Sequence, residues 1–243
     1  MNAVAVVLAS GSGQRFGATS VPKHLTQIFG IPILVWTLDT AIHSKLFSSI
    51  TVVTRKDDIC QTEKILKEYF PNNMFTIRIL EGSNVRIQSF LLGLDDLINA
   101  NLINEDTIVA LFDANRPFTP LSQLKGLYKA ALEFECSCPA RPVVNGVARI
   151  ASDNIIEIPD KTNYVEFVTP EFITYKTLVK SLERNMDRLN CFVEYALALG
   201  ANPKIIEASP LNIKLTFPDD RVHMEEIAYK YKLAKPIKFK PHI

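Results

Sequence analysis

Short apolar runs alternate with longer segments of helical spacing over the first half of the chain. Ala3-Val4-Ala5-Val6-Val7-Leu8-Ala9 is continuous, apolar and of strand length, the pattern of a strand buried on both faces. Ile50 to Thr54 and Phe75 to Leu80 are short and rich in β-branched residues, and Thr107 to Phe112 is a second fully apolar run. Between them the periodicity changes. Pro32 suits the first turn of a helix that reaches Leu46. From Asn84 to Ala100, Ile87, Phe90, Leu91, Leu94, Leu97 and Ile98 share one helical face. This alternation predicts an α/β fold: a mainly parallel, twisted sheet with helices on both faces.

The pattern changes after Phe134. Cys138 to Val144 leads into Asn145-Gly146, a two-residue hairpin signal, and strand-like pieces follow at Val147 to Ile150 and Ile155 to Ile158. The expectation is a β-arm, about 145–167, inserted into one domain spanning 1–243. Helical spacing returns at Pro170 to Leu182 and Leu189 to Leu199. Strands are expected at Lys204 to Glu207 and Ile213 to Thr216, then a helix from Pro218 to about Tyr231, with the basic tail from Lys232 lying on the surface. No internal repeat or low-complexity tract is present.

Composition narrows the functional classes. Lys and Arg total 27 against 26 Asp and Glu, a net charge of +1, so neither a nucleic-acid partner nor a membrane surface is expected. No cation precedes the first apolar run, so no signal peptide is expected, and no stretch of about twenty apolar residues predicts a membrane span. The cysteines, Cys60, Cys136, Cys138 and Cys191, form no C-x-x-C pair and share no metal spacing with the histidines. They read as reduced thiols of a cytoplasmic protein.

The candidate chemistry lies where the predicted strands end. The first strand breaks into Ser10-Gly11-Ser12-Gly13-Gln14-Arg15-Phe16-Gly17, followed by Pro22-Lys23. Glycines let backbone amides approach phosphate oxygens, and Arg15 and Lys23 add two cations. Phe16 occupies the place of a dinucleotide fingerprint's third glycine, and no G-K-[ST] follows at P-loop spacing. Asp113 directly follows a buried strand, where a carboxylate can hold Mg²⁺ or simply close a turn. Gly82, Ser83, Arg86 and Ser89 follow the third strand and offer amides, hydroxyls and a cation to a base, ribose or phosphate. In open parallel sheets these loops meet at one crevice beyond the strands' carboxyl ends.

Together the motifs resemble the cytidylyltransferases that make CDP-methylerythritol or CDP-ribitol from CTP and a polyol phosphate. The family's small-residue G-x-G-x-R-[FM] loop and P-K stand as Ala9 to Phe16 and Pro22-Lys23, and its G-x-P-[IV]-L as Gly30 to Leu34. Glu81-Gly82 through Arg86 to Ser89 is similar to its glycine, arginine and serine segment. Asp113-Ala114-Asn115-Arg116-Pro117-Phe118 resembles D-A-x-R-P-F, Thr169-Pro170 resembles T-P-Q, and Asn212 to Thr216 with Pro218-Asp219-Asp220 resembles N-I-K-[VI]-T-x-P-[ED]-D. The likeness runs nearly end to end and implies a Rossmann-like nucleotidyltransferase that releases pyrophosphate.

By that resemblance Arg15, Lys23 and Lys214 are catalytic, contacting phosphates. Ala9, Ser10, Gly11, Gly13, Gly82, Arg86, Ser89 and Asp113 bind the nucleotide, and Asp113 also binds Mg²⁺. Arg116, Lys161 and Thr169 bind the acceptor, with Lys161 reaching the pocket of a second subunit across a β-arm homodimer. The acceptor half departs from the pattern. His24 replaces the glutamine after P-K and Glu171 the glutamine of T-P-Q. The arm's P-V-x-D-T stands as Pro142-Val143-Val144-Asn145-Gly146, Lys161 replaces an arginine, and Asn190-Cys191 replaces Thr-Asp. Lysine lacks the planar fork of arginine. These changes argue against methylerythritol 4-phosphate and leave ribitol 5-phosphate, glycerol phosphate or another small phosphorylated acceptor, including a non-polyol phosphate of capsule or wall chemistry. Two other classes stay open: an NADP-dependent oxidoreductase using Arg55, and a non-catalytic nucleotide-binding protein.

Overall fold

The computed structural model describes residues 2–11, 21–184 and 190–233. The run at Ala3 forms the central strand β1 (Ala3–Leu8). Its alternating side chains enter two cores. Ala3, Ala5 and Val7 join one apolar cluster, and Val4 and Val6 join the other. Burial on both faces explains the absence of polar alternation.

Parallel strands flank it. β4 (Phe47–Thr54) and then β5 (Ile77–Glu81) lie on one side, and β6 (Ile108–Asp113) on the other. The chain reaches β4 through α1 (Ile33–Ser44) and β5 through α2 (Ile59–Tyr69). Residues of both helices belong to the Ala3 cluster. It then returns across β1 to β6 through α3 (Arg86–Asn99), whose Ile87, Phe90, Leu94 and Leu97 fill the Val4 cluster. The strand order therefore reverses between β1 and β6, and a crevice opens at that switch point. Leu8 sits opposite Asp113 there, and the Ala114 amide donates to the Leu8 carbonyl at 3.0 Å.

Past β6, α4 (Leu121–Phe134) packs on the Ala3 side, and β7 (Cys136–Pro142) extends the sheet. β11 (Glu171–Thr174) runs antiparallel between β6 and β7, and β10 (Val165–Phe167) pairs with the far end of β7. β12 (Lys204–Glu207) lies along the other edge of β7. Helices α5 (Tyr175–Leu182) and α6 (Phe192–Ala198) contribute to the Val4 cluster, and α7 (Asp220–Lys230) contributes Met224 and Ala228 to the Ala3 cluster. Two short strands, β2 (Gln27–Ile28) and β3 (Ile31–Pro32), form a small ribbon before α1. The α/β expectation holds, with helices on both faces of a mainly parallel sheet.

Several local expectations change. Pro32 stands at the N-cap of α1 and pairs in β3 rather than opening the helix. Ile98 is 37% exposed and leaves the apolar face of α3. Residues 171–174 read as helix but pair with Ile108 to Leu111, because the open edge of β6 takes a short apolar run as a strand. The arm's hairpin joins β8 (Arg149–Ala151) and β9 (Asn154–Glu157) through Ser152-Asp153, with Ser152 at φ 51°, so Asn145-Gly146 is not its turn. Ile213 to Thr216 joins no sheet; Leu215 exchanges bonds with Asn115 instead. The expected helix start at Leu189, and the tail beyond 233, lie outside the described residues.

Gly93 lets α3 lie close on the sheet. A Cβ there would stand 2.7 Å from Val6 Cγ1 and 3.0 Å from Val53 Cγ2. Gly93→Ala should destabilise the protein by about 1–3 kcal/mol through overpacking, read as an earlier urea-unfolding midpoint.

Candidate active site

Four chain segments converge at the switch point around a pocket of about 420 Å³. The end of β1 supplies Leu8 to Gly11, and the turn after it Lys23 and His24. The loop after β5 supplies Ser83, Asn84 and Arg86, and the end of β6 supplies Asp113 to Asn115. Lys214 enters from the C-terminal segment. The loops are held by main-chain bonds: the Ala9 amide donates to Val53 O and the Gly82 amide to Thr54 O, each at 2.7 Å.

Gly82 and Ser89 support this wall. A Cβ on Gly82 would stand 2.8 Å from Ser10 Cβ and 2.7 Å from Val53 Cγ1, so only glycine lets the two loops approach. The buried Ser89 hydroxyl lies 2.9 Å from the Ser10 hydroxyl, accepts the Ser83 amide at 3.0 Å and donates to the Ser83 carbonyl at 2.8 Å. Ser89 and Gly82 thus shape the loops that line the pocket, whereas Ala9, Ser10, Gly11 and Arg86 line it directly. Gly13 and Arg15 lie outside the described residues.

Asp113 is the electrostatic centre. Its side chain is 10% exposed, yet three cations face it. Lys214 Nζ donates to Oδ2 at 2.7 Å, Arg86 Nη2 to Oδ1 at 3.2 Å, and Arg116 Nε lies 3.6 Å from Oδ2. Burial alone would raise this carboxyl, but Lys214, Arg86 and Arg116 outweigh it and hold Asp113 well below the usual carboxylate range. The carboxylate is therefore ionised throughout the neutral range.

The segment 212–217 aims Lys214. Asn115 Nδ2 donates to the Leu215 carbonyl at 2.6 Å, and the Leu215 amide returns a bond to Asn115 O at 3.0 Å. Asp220 Oδ2 accepts the Thr216 and Phe217 amides at 2.6 and 2.8 Å, fixing the turn into α7. Lys23 Nζ donates to the Thr216 carbonyl at 3.3 Å, which brings the two predicted lysines to one pocket.

The predicted acceptor residues divide. Arg116 Nη1 donates to Asn212 O at 3.1 Å, and Asn212 Nδ2 to Thr169 O at 2.8 Å, so Arg116 and Thr169 meet around Asn212. Arg116 Nε, Asn212 Oδ1 and Thr169 Oγ1 are buried there without a hydrogen-bond partner. Lys161 lies elsewhere, on the arm, donating to Val144 O at 2.9 Å.

Two buried titratable groups, His24 and Glu171, stand where the sequence departs from the family pattern, and spacing alone does not place them at the site. His24 is 4% exposed, lines the pocket and lies 3.4 Å from Thr54 Oγ1 through Nε2. Burial lowers it to about 4, with Asp58 opposing and Arg55 adding to the shift. Glu171, 2% exposed, accepts the Phe192 and Val193 amides through Oε2 at 2.7 and 3.2 Å. Burial raises it to about 7, against the pull of Arg86 and those two amides and with Asp113 adding to the rise.

These two groups tilt stability in opposite senses. The neutral His24 contributes stability present above its ordinary 6.5 and lost as pH falls toward about 4. Glu171 contributes stability present below its ordinary 4.5 and lost as pH rises through about 7. His24→Gln should therefore lose less than the unmutated protein on acidification, by roughly 1.4 kcal/mol per pH unit within that window, and Glu171→Gln should gain on it as pH rises. Urea unfolding across the acid-to-neutral range measures both slopes.

The geometry agrees with independent likenesses. The family model for IspD, 2-C-methyl-D-erythritol 4-phosphate cytidylyltransferase, matches residues 3–229. A ribitol-5-phosphate cytidylyltransferase of Lactiplantibacillus plantarum is 25% identical over 220 residues, covering 89% of this chain and 94% of that protein. A 2-C-methyl-D-erythritol 4-phosphate cytidylyltransferase of Thermosipho melanesiensis is 27% identical over 219 residues, covering 89% and 93%. In fold, the chain resembles the crystal structure of 4-diphosphocytidyl-2C-methyl-D-erythritol synthase from Anaerococcus prevotii, with a TM-score of 0.77, 21% identity and coverage of 94% and 96%. The oxidoreductase alternative finds no support in these likenesses, and Arg55, its proposed 2′-phosphate ligand, is paired with Asp58 at 2.7 and 3.2 Å. With the family model spanning nearly its whole length and the matching loops gathered at one crevice, the chain belongs to the IspD family of CTP-dependent cytidylyltransferases.

Proposed function

We propose that this enzyme transfers CMP from CTP to a small phosphorylated polyol, with ribitol 5-phosphate as the first acceptor to test. The observation that supports it most is the meeting of Lys23, Lys214 and Arg86 in one pocket around Asp113. The L. plantarum relative carries the ribitol-5-phosphate name, and the arm's departures from the family pattern point away from methylerythritol 4-phosphate.

The reaction joins two anions. An acceptor phosphate oxygen attacks the α-phosphorus of CTP, the new phosphorus–oxygen bond forms, and the bond to the β-phosphate's bridging oxygen breaks with release of pyrophosphate. The attacking phosphate is already ionised near neutral pH, so no side chain has to take a proton. The barrier is charge and placement. Lys23, Lys214 and Arg15 neutralise the phosphates, and Arg86 with the Ser83–Asn84 loop holds the nucleoside end. Arg116, Thr169 and Asn212, which meet one another next to Asp113, receive the acceptor.

The donors present fit Mg²⁺ carried on the triphosphate. The described residues contain no group of three metal-binding side chains, and Asp113 is the carboxylate among the pocket's lining residues. One carboxylate with substrate phosphates is an ordinary Mg²⁺ set. Asp113 would hold the ion through the lone pairs that Lys214 and Arg86 leave free, with the triphosphate as the main donor, and the ion when bound would neutralise triphosphate charge.

The arm supports a homodimer. Val144, Ile150, Ile155 and Ile158 are 64–79% exposed, and Tyr164, Val165 and Phe167 are nearly half exposed. Apolar surface of that extent marks an interface. A second copy seated on it would bring the partner's arm, with its Lys161, toward an acceptor pocket. Four free thiols, three of them buried, support work in a reducing cytoplasm. No described helix is long and apolar enough to cross a membrane.

Lys23→Ala and Arg15→Ala should each lower kcat by about 10²–10³, measured as pyrophosphate release from CTP, Mg²⁺ and ribitol 5-phosphate. Near-normal release from either variant contradicts its role, and release with methylerythritol 4-phosphate alone reassigns the acceptor. Ile150→Asp with Ile155→Asp should sediment as a monomer at concentrations where the unmutated protein is a dimer. An unchanged mass would remove the arm from the interface.

A further inference from the structure

We propose that Glu171 is a positioning residue for the nucleotide site: it fixes the 190–193 turn, whose carbonyl orients Arg86 against Asp113. This rests on the reading of Arg86 as a nucleotide-site residue.

The connection is continuous. Glu171 begins β11 and lies opposite Leu111 of β6, two residues before Asp113. Its Oε2 accepts the amides of Phe192 and Val193 at 2.7 and 3.2 Å. The same turn presents the Asn190 carbonyl, which accepts from Arg86 Nη1. Arg86 Nη2 then donates to Asp113 Oδ1 at 3.2 Å, while Lys214 occupies Oδ2. Arg86 is thus gripped at both terminal nitrogens, once by the carboxylate it faces and once by a turn that Glu171 helps to anchor. A guanidinium held by two acceptors has its plane fixed, and that decides which nitrogen edge remains for a ligand.

Ordinary helix capping does not account for the choice of residue. Cys191, at the N-cap of α6, caps no amide with its own side chain; Glu194 in the first turn of α6 accepts the Asn190 amide at 2.6 Å, and the Phe192 and Val193 amides fall to a carboxylate from a distant strand. That carboxylate is almost fully buried, and the groups facing it give it little help. Arg86 is the cation among them; Asp113, Cys136, Cys138 and Cys191 all oppose its charge or are opposed by it. Burying an acid there carries a desolvation penalty that a surface cap avoids. What the position provides is reach: from β11 one side chain ties the turn to the strand that ends in Asp113.

Reach and charge can be separated. Glu171→Asp keeps the charge and withdraws the oxygens by one methylene. Glu171→Gln removes the charge and keeps an acceptor at the same distance. Calorimetric titration with MgCTP should show Glu171→Asp binding about tenfold more weakly, and Glu171→Gln restoring affinity to within about threefold of the unmutated protein. Arg86→Ala should also weaken binding, and the Glu171→Asp, Arg86→Ala double variant should bind no more weakly than Arg86→Ala alone, because both changes remove one interaction. Wild-type affinity in Glu171→Asp, equal losses in the Asp and Gln variants, or additive losses in the double variant each overturn the inference. If Arg86→Ala itself binds MgCTP normally, the nucleotide-site reading of Arg86 fails first and carries the inference with it.

Discussion

A buried carboxylate surrounded by three cations is the constraint on which this site depends. Asp113 ends the strand beside β1, at the point where the strand order reverses. An ionised group so placed is tolerable only if opposite charge comes to it. Lys214, Arg86 and Arg116 arrive from three different parts of the chain, and each brings its own segment along. Lys214 brings the strap running into α7, Arg86 the head of α3, and Arg116 the loop that meets Asn212 and Thr169. One charge balance thus assembles the wall at the head of α3 and the wall around Asn212 together. The cations exceed the carboxylate they surround, which leaves the pocket with a positive balance suited to anionic reactants.

The architecture was legible where the pattern was governed by burial. β1 and β6 are buried on both faces, and their continuous apolar runs follow from it. Short segments whose partners lie far away in sequence were less legible. Glu171 to Thr174 carries nothing local that separates strand from helix; the exposed ladder of β6 decides it. Ile213 to Thr216 has the alternation of a strand, but the groups available to it belong to a loop, so it becomes a strap fixed on Asn115. In the arm, Asn145-Gly146 has turn chemistry, while the pairing of Ile150 with Ile155 places the reversal at Ser152-Asp153.

The candidate site shows the same division. Residue pattern pointed to Lys23, Arg86 and Asp113, the family resemblance added Lys214, and the structure gathers all four at one pocket. The pattern did not distinguish a residue that faces the pocket from one that holds the wall up. Ser89 and Gly82 carry the family pattern, yet here they join two loops, because a hydroxyl enclosed by Ser10 and Ser83 has its bonding capacity filled. His24 and Glu171 were visible as unusual residues. Their importance depends on burial, which spacing does not reveal.

The distance along the chain between Asp113 and Lys214 has a consequence for biosynthesis. Their contact closes a separation of 101 residues, and the strap that delivers the lysine is secured by Asp220, close to the end of the described chain. A ribosome that has released β1 through β6 has built the switch-point crevice without its lysine. A nascent chain at that stage holds Asp113 against Arg86 and Arg116 alone, and the third cation joins only once the strap leading into α7 has been made.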